Sequence, residues 1–228
     1  MTQFQEAEDR FKAGIHAKHH GDLAKAGEQF KAAISLNPNH AQACSEWGAI
    51  EYSQGNFDAA KRLLRQAIDL DPDQGHSHLF LALTLGELRE ADAAESHFQK
   101  ALLITEMPAV TYAAYGNFLG ALKRPEAEQA FQSALDRDPD CVLALRDYAR
   151  LLASLGREAE ADALFRKALQ IDPDNAASNL RYGRFLRSLS GRWKEAVTYL
   201  RRALELDPGL EEAREVLDDL AEEQGLPD

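Results

Sequence analysis

Cysteine is scarce in this chain of 228 residues, which has only Cys44 and Cys141 and no paired cysteine spacing. We therefore expect no disulfide framework and a reducing compartment. No apolar run approaches the roughly 18 residues that a membrane-spanning helix needs, and no basic segment followed by an apolar run opens the sequence. These absences predict a cytoplasmic protein with no signal peptide and no membrane partner.

Positive charge is also in short supply, because 26 Lys and Arg residues face 38 Asp and Glu residues. A net charge of −12 works against generic binding to nucleic acid or to anionic lipid. The motifs of phosphate-binding loops, nucleophile elbows, zinc proteases and paired-cysteine sites are missing as well. His16 and His20 can share a helix face, but the sequence places no third metal ligand beside them. The sequence therefore predicts no cofactor, no metal and no enzyme activity.

What the sequence does contain is a strong internal period. Turn signals recur at spacings of 34, 34, 33, 34 and 35 residues, which is typical of a repeat architecture. Five of the six signals place Asn or Asp before proline, and the third has Thr-Glu instead. The six signals are Asn37-Pro38, Asp71-Pro72, Thr105-Glu106, Asp138-Pro139, Asp172-Pro173 and Asp207-Pro208.

Small residues recur inside each period at positions where two helices would cross. Each unit has two alanines seven residues apart, a Phe or Leu four residues after the first alanine, and an earlier Gly or Ala. Small residues allow two backbones to approach, and the large residue fills the space beside them. The earlier Gly or Ala residues are Gly14, Gly48, Ala82, Gly116, Ala149 and Gly183, and the alanine pairs are Ala26/Ala33, Ala60/Ala67, Ala94/Ala101, Ala127/Ala134, Ala161/Ala168 and Ala196/Ala203.

The helix ends can also be predicted from residue types. Gly21, Gly55 and Gly156 occur where the first helix of a unit has to end, so we expect them in the left-handed conformation. The Asn or Asp that follows each proline is predicted to cap the next helix. These predicted caps are Asn39, Asp73, Asp140 and Asp174.

This pattern resembles the tetratricopeptide repeat, which has small-residue positions, an Ala-x3-Phe pair, a second alanine and a closing proline in about 34 residues. The resemblance implies one all-α domain over residues 1–228, a right-handed superhelical α-solenoid of six antiparallel helix pairs. Glu106 stands where the third repeat should close with proline, so that junction is expected to be bent or loosened. The predicted repeats are residues 7–40, 41–74, 75–108, 109–141, 142–175 and 176–210, followed by an acidic capping helix over residues 211–224.

The resemblance also implies that the first helices line a concave surface that binds a peptide or protein segment. When the first helices of the six repeats are aligned, the residues predicted to line the middle of that surface are apolar. Its C-terminal third gathers arginines, which bind carboxylates. We therefore expect an acidic peptide or a free C-terminus as the partner. The alternative is that the arginines pair internally with residues such as Asp147, Glu158 and Glu160. The predicted partner-binding residues are Leu79, Phe80, Leu83, Asn117, Arg146, Arg150, Arg181, Arg184 and Arg187.

Several roles remain open for such a chain. The chaperone-binding subtype is disfavoured, because Phe11, Ile15, Glu46, His76 and Phe80 stand where its carboxylate clamp has Lys, Asn and Arg. The leading hypothesis is an adaptor or scaffold. The others are an assembly factor of a pilus, secretion or other cell-envelope machine, a self-associating scaffold whose acidic tail binds the arginines of another copy, and a regulatory subunit of an enzyme. Pilus-biogenesis lipoproteins of similar size begin with a lipidated cysteine, and no cysteine lies near Met1.

Overall fold

The computed structural model describes residues 2–224, and within that range it contains thirteen α-helices and no strand. The helices follow one another with short connections, as the repeat pattern predicts. They are α1 Gln3–His19, α2 Leu23–Leu36, α3 Ala41–Ser53, α4 Phe57–Leu70, α5 Gly75–Glu87, α6 Ala91–Ile104, α7 Pro108–Ala121, α8 Glu126–Arg137, α9 Val142–Ser154, α10 Glu158–Ile171, α11 Ala176–Ser188, α12 Trp193–Leu206 and α13 Glu211–Gln224.

The chain forms two compact units, residues 1–111 and 112–228, and the division falls within α7. In the first unit, α1 packs against α2, α3 against α4 and α5 against α6. In the second unit, α9 packs against α10 and α11 against α12, and α13 covers α12 and contacts α11. The all-α solenoid and the final helix are therefore confirmed. The single domain and the right-handed superhelix stay predictions.

Close crossing within each helix pair explains the small residues of the repeat. All six predicted alanine pairs are buried, with at most 1% of any alanine exposed. A Cβ atom built on Gly48 would lie 2.7 Å from Leu64 Cγ, and one on Gly183 would lie 2.7 Å from Leu200 Cγ. Real Cβ atoms do not approach carbon so closely, so glycine is what allows these two pairs to cross at this distance.

The turn inside each repeat uses the left-handed conformation that the sequence predicted. Gly21, Gly55 and Gly156 have φ of 76°, 78° and 75°. Arg89 and Lys123 have φ of 61° and 55° in the third and fourth repeats, so these two side chains tolerate a conformation that favours glycine. The prediction is confirmed for the three glycines and extends to two residues that sequence types alone did not suggest.

The predicted helix caps were wrong by one residue. The residues that precede α3, α5, α9 and α11 are His40, Gln74, Cys141 and Asn175. At three of these four junctions, the Asn or Asp before the proline instead folds its side chain back over the turn and accepts a hydrogen bond from the backbone N–H two residues later. The predicted caps Asn39, Asp73 and Asp140 supply the N–H in these bonds, at 3.1, 3.3 and 3.1 Å, and Asp174 likewise lies one residue before Asn175.

Two similar polar clusters join neighbouring repeats of the second unit. Tyr182 donates its hydroxyl to Asp162 Oδ1 at 2.8 Å, and Arg192 donates to the same oxygen at 2.7 Å. One repeat earlier, the Glu128 carboxylate accepts from Tyr148 at 2.7 Å and from Arg157 at 2.6 Å. In each cluster an arginine from an internal turn reaches back to an acid of the preceding repeat, so the clusters fix the spacing of consecutive repeats.

We expect Tyr182→Phe to lower the free energy of unfolding by about 1.5–3 kcal/mol. The hydroxyl loses its bond to the Asp162 carboxylate and the bond that it accepts from Arg166 Nε at 3.1 Å, while the ring packing stays. The Tyr182 ring, which is only 1% exposed, stacks on Phe165 at 5.4 Å. Urea unfolding measures the change. Tyr199→Phe on α12 is the control, because the Tyr199 ring packs on Tyr182 at 4.6 Å while its hydroxyl belongs to neither polar cluster, so this change should leave stability nearly unchanged.

Candidate functional site

The first unit contains an open cavity of about 630 Å³ between the first helices α1, α3 and α5 and the junction that leads to α7. We call it the first-unit cavity. Its walls combine aliphatic and aromatic side chains with carboxylates and amides. The lining residues are Phe11, Ile15, Gln42, Ser45, Glu46, Asp73, Gln74, Gly75, His76, Leu79, Ile104, Thr105, Glu106 and Met107.

The irregular third junction forms one wall of this cavity. It has only three residues, 105–107, whereas the other four junctions between repeats and the connection to α13 have four. The predicted bend occurs at Glu106, and Thr105 Oγ1 closes it by accepting the Met107 N–H at 3.0 Å. A Cβ atom on Gly75 would lie 3.0 Å from Thr105 Cα, so glycine at the start of α5 lets the junction approach. Met107 is left 57% exposed at the cavity edge.

A hydrogen-bonded polar chain fixes one wall of the first-unit cavity. Ser77 donates to Ser45 at 2.7 Å, and Ser45 is paired with His76 Nδ1 at 3.0 Å. Burial lowers the pKa of His76, an effect that nearby Glu46 opposes. Glu46 itself accepts from Lys18 Nζ at 2.6 Å. The imidazole is therefore a neutral, fixed part of the wall at pH 7.

The three predicted apolar residues of the first unit do not lie together in the cavity. Leu79 lines it, although only 7% of this residue is exposed. Phe80 packs on His76 and Tyr52, with ring centroids 4.6 and 5.8 Å apart, and it does not line the cavity. Leu83 is half-buried and also lies outside the lining. Met107 lines the cavity as well, but sequence reasoning did not predict it. The signal that could have pointed to it is Glu106, which replaces proline at the irregular junction beside it.

In the second unit, four of the first-helix residues form one polar network. Arg150 donates to Asn117 Oδ1 at 2.7 Å, and Asn117 donates to Asp147 Oδ2 at 2.6 Å. Arg146 pairs with the same Asp147 at 2.8 Å. Within the described residues Arg150 forms no ion pair, and its side chain is exposed. The guanidinium of Arg150 is thus the part of this network that remains available for an anion.

The other three predicted arginines face the carboxylates of α13. Arg187 pairs with Asp219 at 3.0 Å and with Glu223 at 2.6 Å. Arg184 forms an ion pair with Glu212, and Arg181 lies 3.9 Å from the same carboxylate. Internal pairing therefore occurs, but two of the predicted partners were wrong. Glu160 binds Arg157 instead, and Glu158 lies in the first turn of α10, where the helix dipole favours an acid.

Histidine pairs are the remaining candidates for chemistry. His16 and His20 pack edge to face, as their shared helix face predicts. His78 and His97 bring their Nδ1 atoms to 2.8 Å, a contact between α5 and α6 that sequence reasoning missed. Residues 2–224 contain no group of three His, Cys, Asp or Glu side chains that could hold a metal ion. The thiol of Cys44 is buried, which raises its pKa to about 11 and makes it a poor nucleophile.

None of the helices within residues 2–224 combines the length and the apolar character that crossing a bilayer requires.

Among known proteins, the Type IV pilus assembly protein PilF of Pseudomonas aeruginosa is 32% identical over 103 residues, which cover 45% of this chain and 39% of PilF. Cellulose synthase 1 operon protein C of Komagataeibacter xylinus is 25% identical over 166 residues, which cover 65% of this chain and 12% of that protein. The aligned regions thus span less than half the length of either relative.

Solved structures share the fold over most of the chain. Pseudomonas aeruginosa PilF matches with a TM-score of 0.68 and 18% identity, over 96% of this chain and all of that one. The type IV pilus biogenesis factor PilW matches with a TM-score of 0.74 and 21% identity, over 92% and 98%. YrrB, described as a TPR protein with an unusual peptide-binding site, matches with a TM-score of 0.51 and 20% identity, over 84% and 99%. At these identities the likeness shows the fold alone.

Family models settle the classification. One model described as Tetratricopeptide repeat matches residues 46–109 and 117–176, which is more than half of the chain. A second model of the same description matches residues 156–209. Both matches follow the period of turn signals and small residues that the helix pairs explain. The chain belongs to the tetratricopeptide repeat family.

Proposed function

We propose that this chain is a protein-binding scaffold that holds a segment of another polypeptide in the first-unit cavity. The cavity is the observation that carries the proposal, because it is open to solvent, partly apolar and built from the first helices of three consecutive repeats. Concave sites with apolar walls and a few polar groups are where proteins usually bind ligands. Membership of the tetratricopeptide repeat family and the peptide-binding site ascribed to YrrB support a polypeptide as the ligand.

The proposal assigns no catalytic role to the chain. The buried groups of the cavity are tied into hydrogen bonds with one another, as in the Ser77–Ser45–His76 chain. A nucleophile needs an adjacent base and a site that stabilises developing charge. The thiol of Cys44 is buried and its pKa is raised, so it stays protonated at pH 7 and does not act as a nucleophile. A scaffold that works through binding alone, in the cytoplasm, is the function we propose.

Filling the cavity should abolish partner binding. Gln42 is exposed on α3 and lines the cavity, so Gln42→Trp places a large ring in the opening without changing the core. The matched control is Gln99→Trp, on an exposed position of α6 in the same unit that does not line the cavity. Affinity capture from lysate should retain a specific partner with the intact chain and with Gln99→Trp, and lose it with Gln42→Trp. Equal retention by both variants would rule out the cavity as the site.

A second candidate is an assembly factor for a type IV pilus. It is favoured by the match to PilF over 45% of this chain and by the structural likeness to PilF and PilW over more than 90% of it. The candidate is tested by deleting the gene in the source organism. Loss of surface pili, restored by the intact chain, would support it, and normal piliation would exclude it.

The acidic-partner hypothesis is retained for Arg150 only, because Arg181, Arg184 and Arg187 already face carboxylates of the same chain. Arg150→Glu should release an acidic partner held there, while Arg187→Glu should mainly disturb α13. Self-association through the acidic tail would require α13 to leave its own arginines. Light scattering over a range of concentrations tests it, and a constant monomer mass would exclude it.

A further inference from the structure

We propose that the first-unit cavity selects a cationic amphipathic segment, one that places a Lys or Arg beside a large apolar side chain. This inference rests on the proposed function and deepens it by naming the partner's chemistry. It reverses, for this site, the acidic partner that the arginines of the second unit suggested.

The charge of the cavity wall has one sign. The lining contains the carboxylates of Glu46, Asp73 and Glu106 and no Lys or Arg. Glu46 is neutralised by Lys18, at 2.6 Å. Asp73 and Glu106 form no ion pair with any residue in the described range, so both are free to meet a cation from a partner. Two unpaired carboxylates at the rim attract a cationic segment and repel an acidic one.

His76 does not offset this charge. Its ring lies in the wall and its Nδ1 is paired with Ser45 at 3.0 Å. Burial lowers its pKa more than the nearby Glu46 raises it, so the ring is neutral at pH 7. An acidic ligand would therefore find no positive side chain in this lining, whereas a lysine or arginine would find two free acids.

The floor of the cavity supplies the apolar half of the match. Phe11, Ile15 and Leu79 line it, and the exposed Met107 stands at its edge. Methionine side chains adapt to ligands of different shape, and a half-exposed aromatic ring offers a flat surface to an aliphatic or aromatic anchor. A cavity of about 630 Å³ has room for more than one side chain. The side-chain amide of Gln42 is exposed beside it and can bond to a peptide backbone.

The test uses two fluorescein-labelled synthetic peptides of equal length. The first consists of Leu, Lys and Gln in an amphipathic order, and the second is the same peptide with Glu for every Lys. Fluorescence anisotropy with the whole chain measures both affinities at low salt. We expect the cationic peptide to bind, and Asp73→Asn/Glu106→Gln to weaken it about five- to tenfold, because two attractive charges are removed. The matched control is Glu28→Gln/Asp69→Asn, which changes the net charge equally at exposed positions of the same unit outside the cavity.

The peptide-binding results distinguish a wrong charge preference from a wrong site. Failure of the cationic peptide to bind, tighter binding of the anionic peptide, or equal weakening by the rim pair and the control pair would overturn the cationic assignment. Gln42→Trp separates this failure from that of the proposed function. If the anionic peptide binds and Gln42→Trp blocks it, the cavity is a binding site of the opposite chemistry. If Gln42→Trp blocks neither peptide, the cavity is not the site.

Discussion

Gly48→Ala should lower the free energy of unfolding by about 1–2 kcal/mol, although alanine is the better helix former. The new methyl group would lie 2.7 Å from Leu64 Cγ, so α3 and α4 would have to separate or the leucine would have to leave its rotamer. Overpacking of a well-filled core costs about 1–3 kcal/mol, which exceeds the gain of up to about 1 kcal/mol from helix propensity. Urea unfolding of the whole chain measures the change.

The control is Gly27→Ala on α2, where a new Cβ atom meets nothing within 4 Å. Here only the higher helix propensity of alanine acts, so the free energy of unfolding should rise by about 0.5–1 kcal/mol. The same substitution therefore changes sign between two helical positions of one unit. A neutral or stabilising Gly48→Ala would show that the helix pair is not as tightly crossed as the structure has it.

The register of the repeats supports this expectation. Glycine stands at the crossing in both repeats whose large residue is leucine, Gly48 with Leu64 and Gly183 with Leu200. Alanine occurs only opposite phenylalanine, as in Ala149 with Phe165. Phenylalanine stands opposite glycine as well, at Gly14, where a Cβ atom would lie 2.6 Å from the Phe30 ring. Leucine branches at Cγ, next to the backbone, so it occurs here only with glycine, whereas a flat ring can turn to accept either residue.

Acid should destabilise the chain through the contact of His78 with His97. Burial lowers the pKa of His97 to about 4, with further lowering from His78, Lys100 and Arg65. Burial also lowers the pKa of His78, although its bond to the Pro72 carbonyl and the nearby Asp73 oppose this. Both rings are neutral in the folded chain at pH 7. The unfolded chain binds more protons between its histidine pKa of about 6.5 and pH 4, so stability falls as the pH drops through that window.

We expect this pair to account for a loss of about 1–2 kcal/mol between pH 6.5 and 4, a value reduced for solvent screening of the half-buried His97. His78→Asn/His97→Leu should remove that part of the pH dependence. In the same register of other repeats, Asn179 donates to the Pro173 carbonyl and Leu63 is buried, so both substitutions suit the fold. Carboxylates titrate in both proteins, and only the difference between their curves reports the histidines.

His16→Asn/His20→Gln is the control for this experiment, because it removes an exposed histidine pair from α1. It leaves His78 and His97 in place, so the acid sensitivity assigned to the buried pair should persist in this variant. Identical slopes for the intact chain and for His78→Asn/His97→Leu would contradict the assignment of the acid sensitivity to the buried pair.

Most of the fold could be predicted because the same small and large residues recur at matching positions in all six repeats. The buried alanines, the glycines with positive φ and the acidic final helix follow from residue type and spacing alone. The helix caps could not be placed, because Asn39 and His40 are both capable cap residues. The Asx turn across the proline decides between them, and it appears only in the geometry of the backbone.

The site was harder to predict than the fold, because it depends on which charged side chains form ion pairs across different helices. In the sequence, Arg184 and Arg187 are an isolated basic stripe, and the acids Glu212 and Asp219 are a solvated cap. The structure places the acids on the arginines. The third junction is one residue shorter and has Glu106 where proline is expected, and it places Met107 in the lining of the first-unit cavity.

Site-specific photo-crosslinking in cells tests most directly whether a polypeptide binds in the first-unit cavity. A photoreactive phenylalanine analogue replaces Gln42 in one variant and Gln99 in a matched one, both at exposed positions of the same unit. We expect a discrete adduct with another polypeptide from position 42 and none from position 99. Equal adducts from both positions, or none from position 42, would contradict the claim.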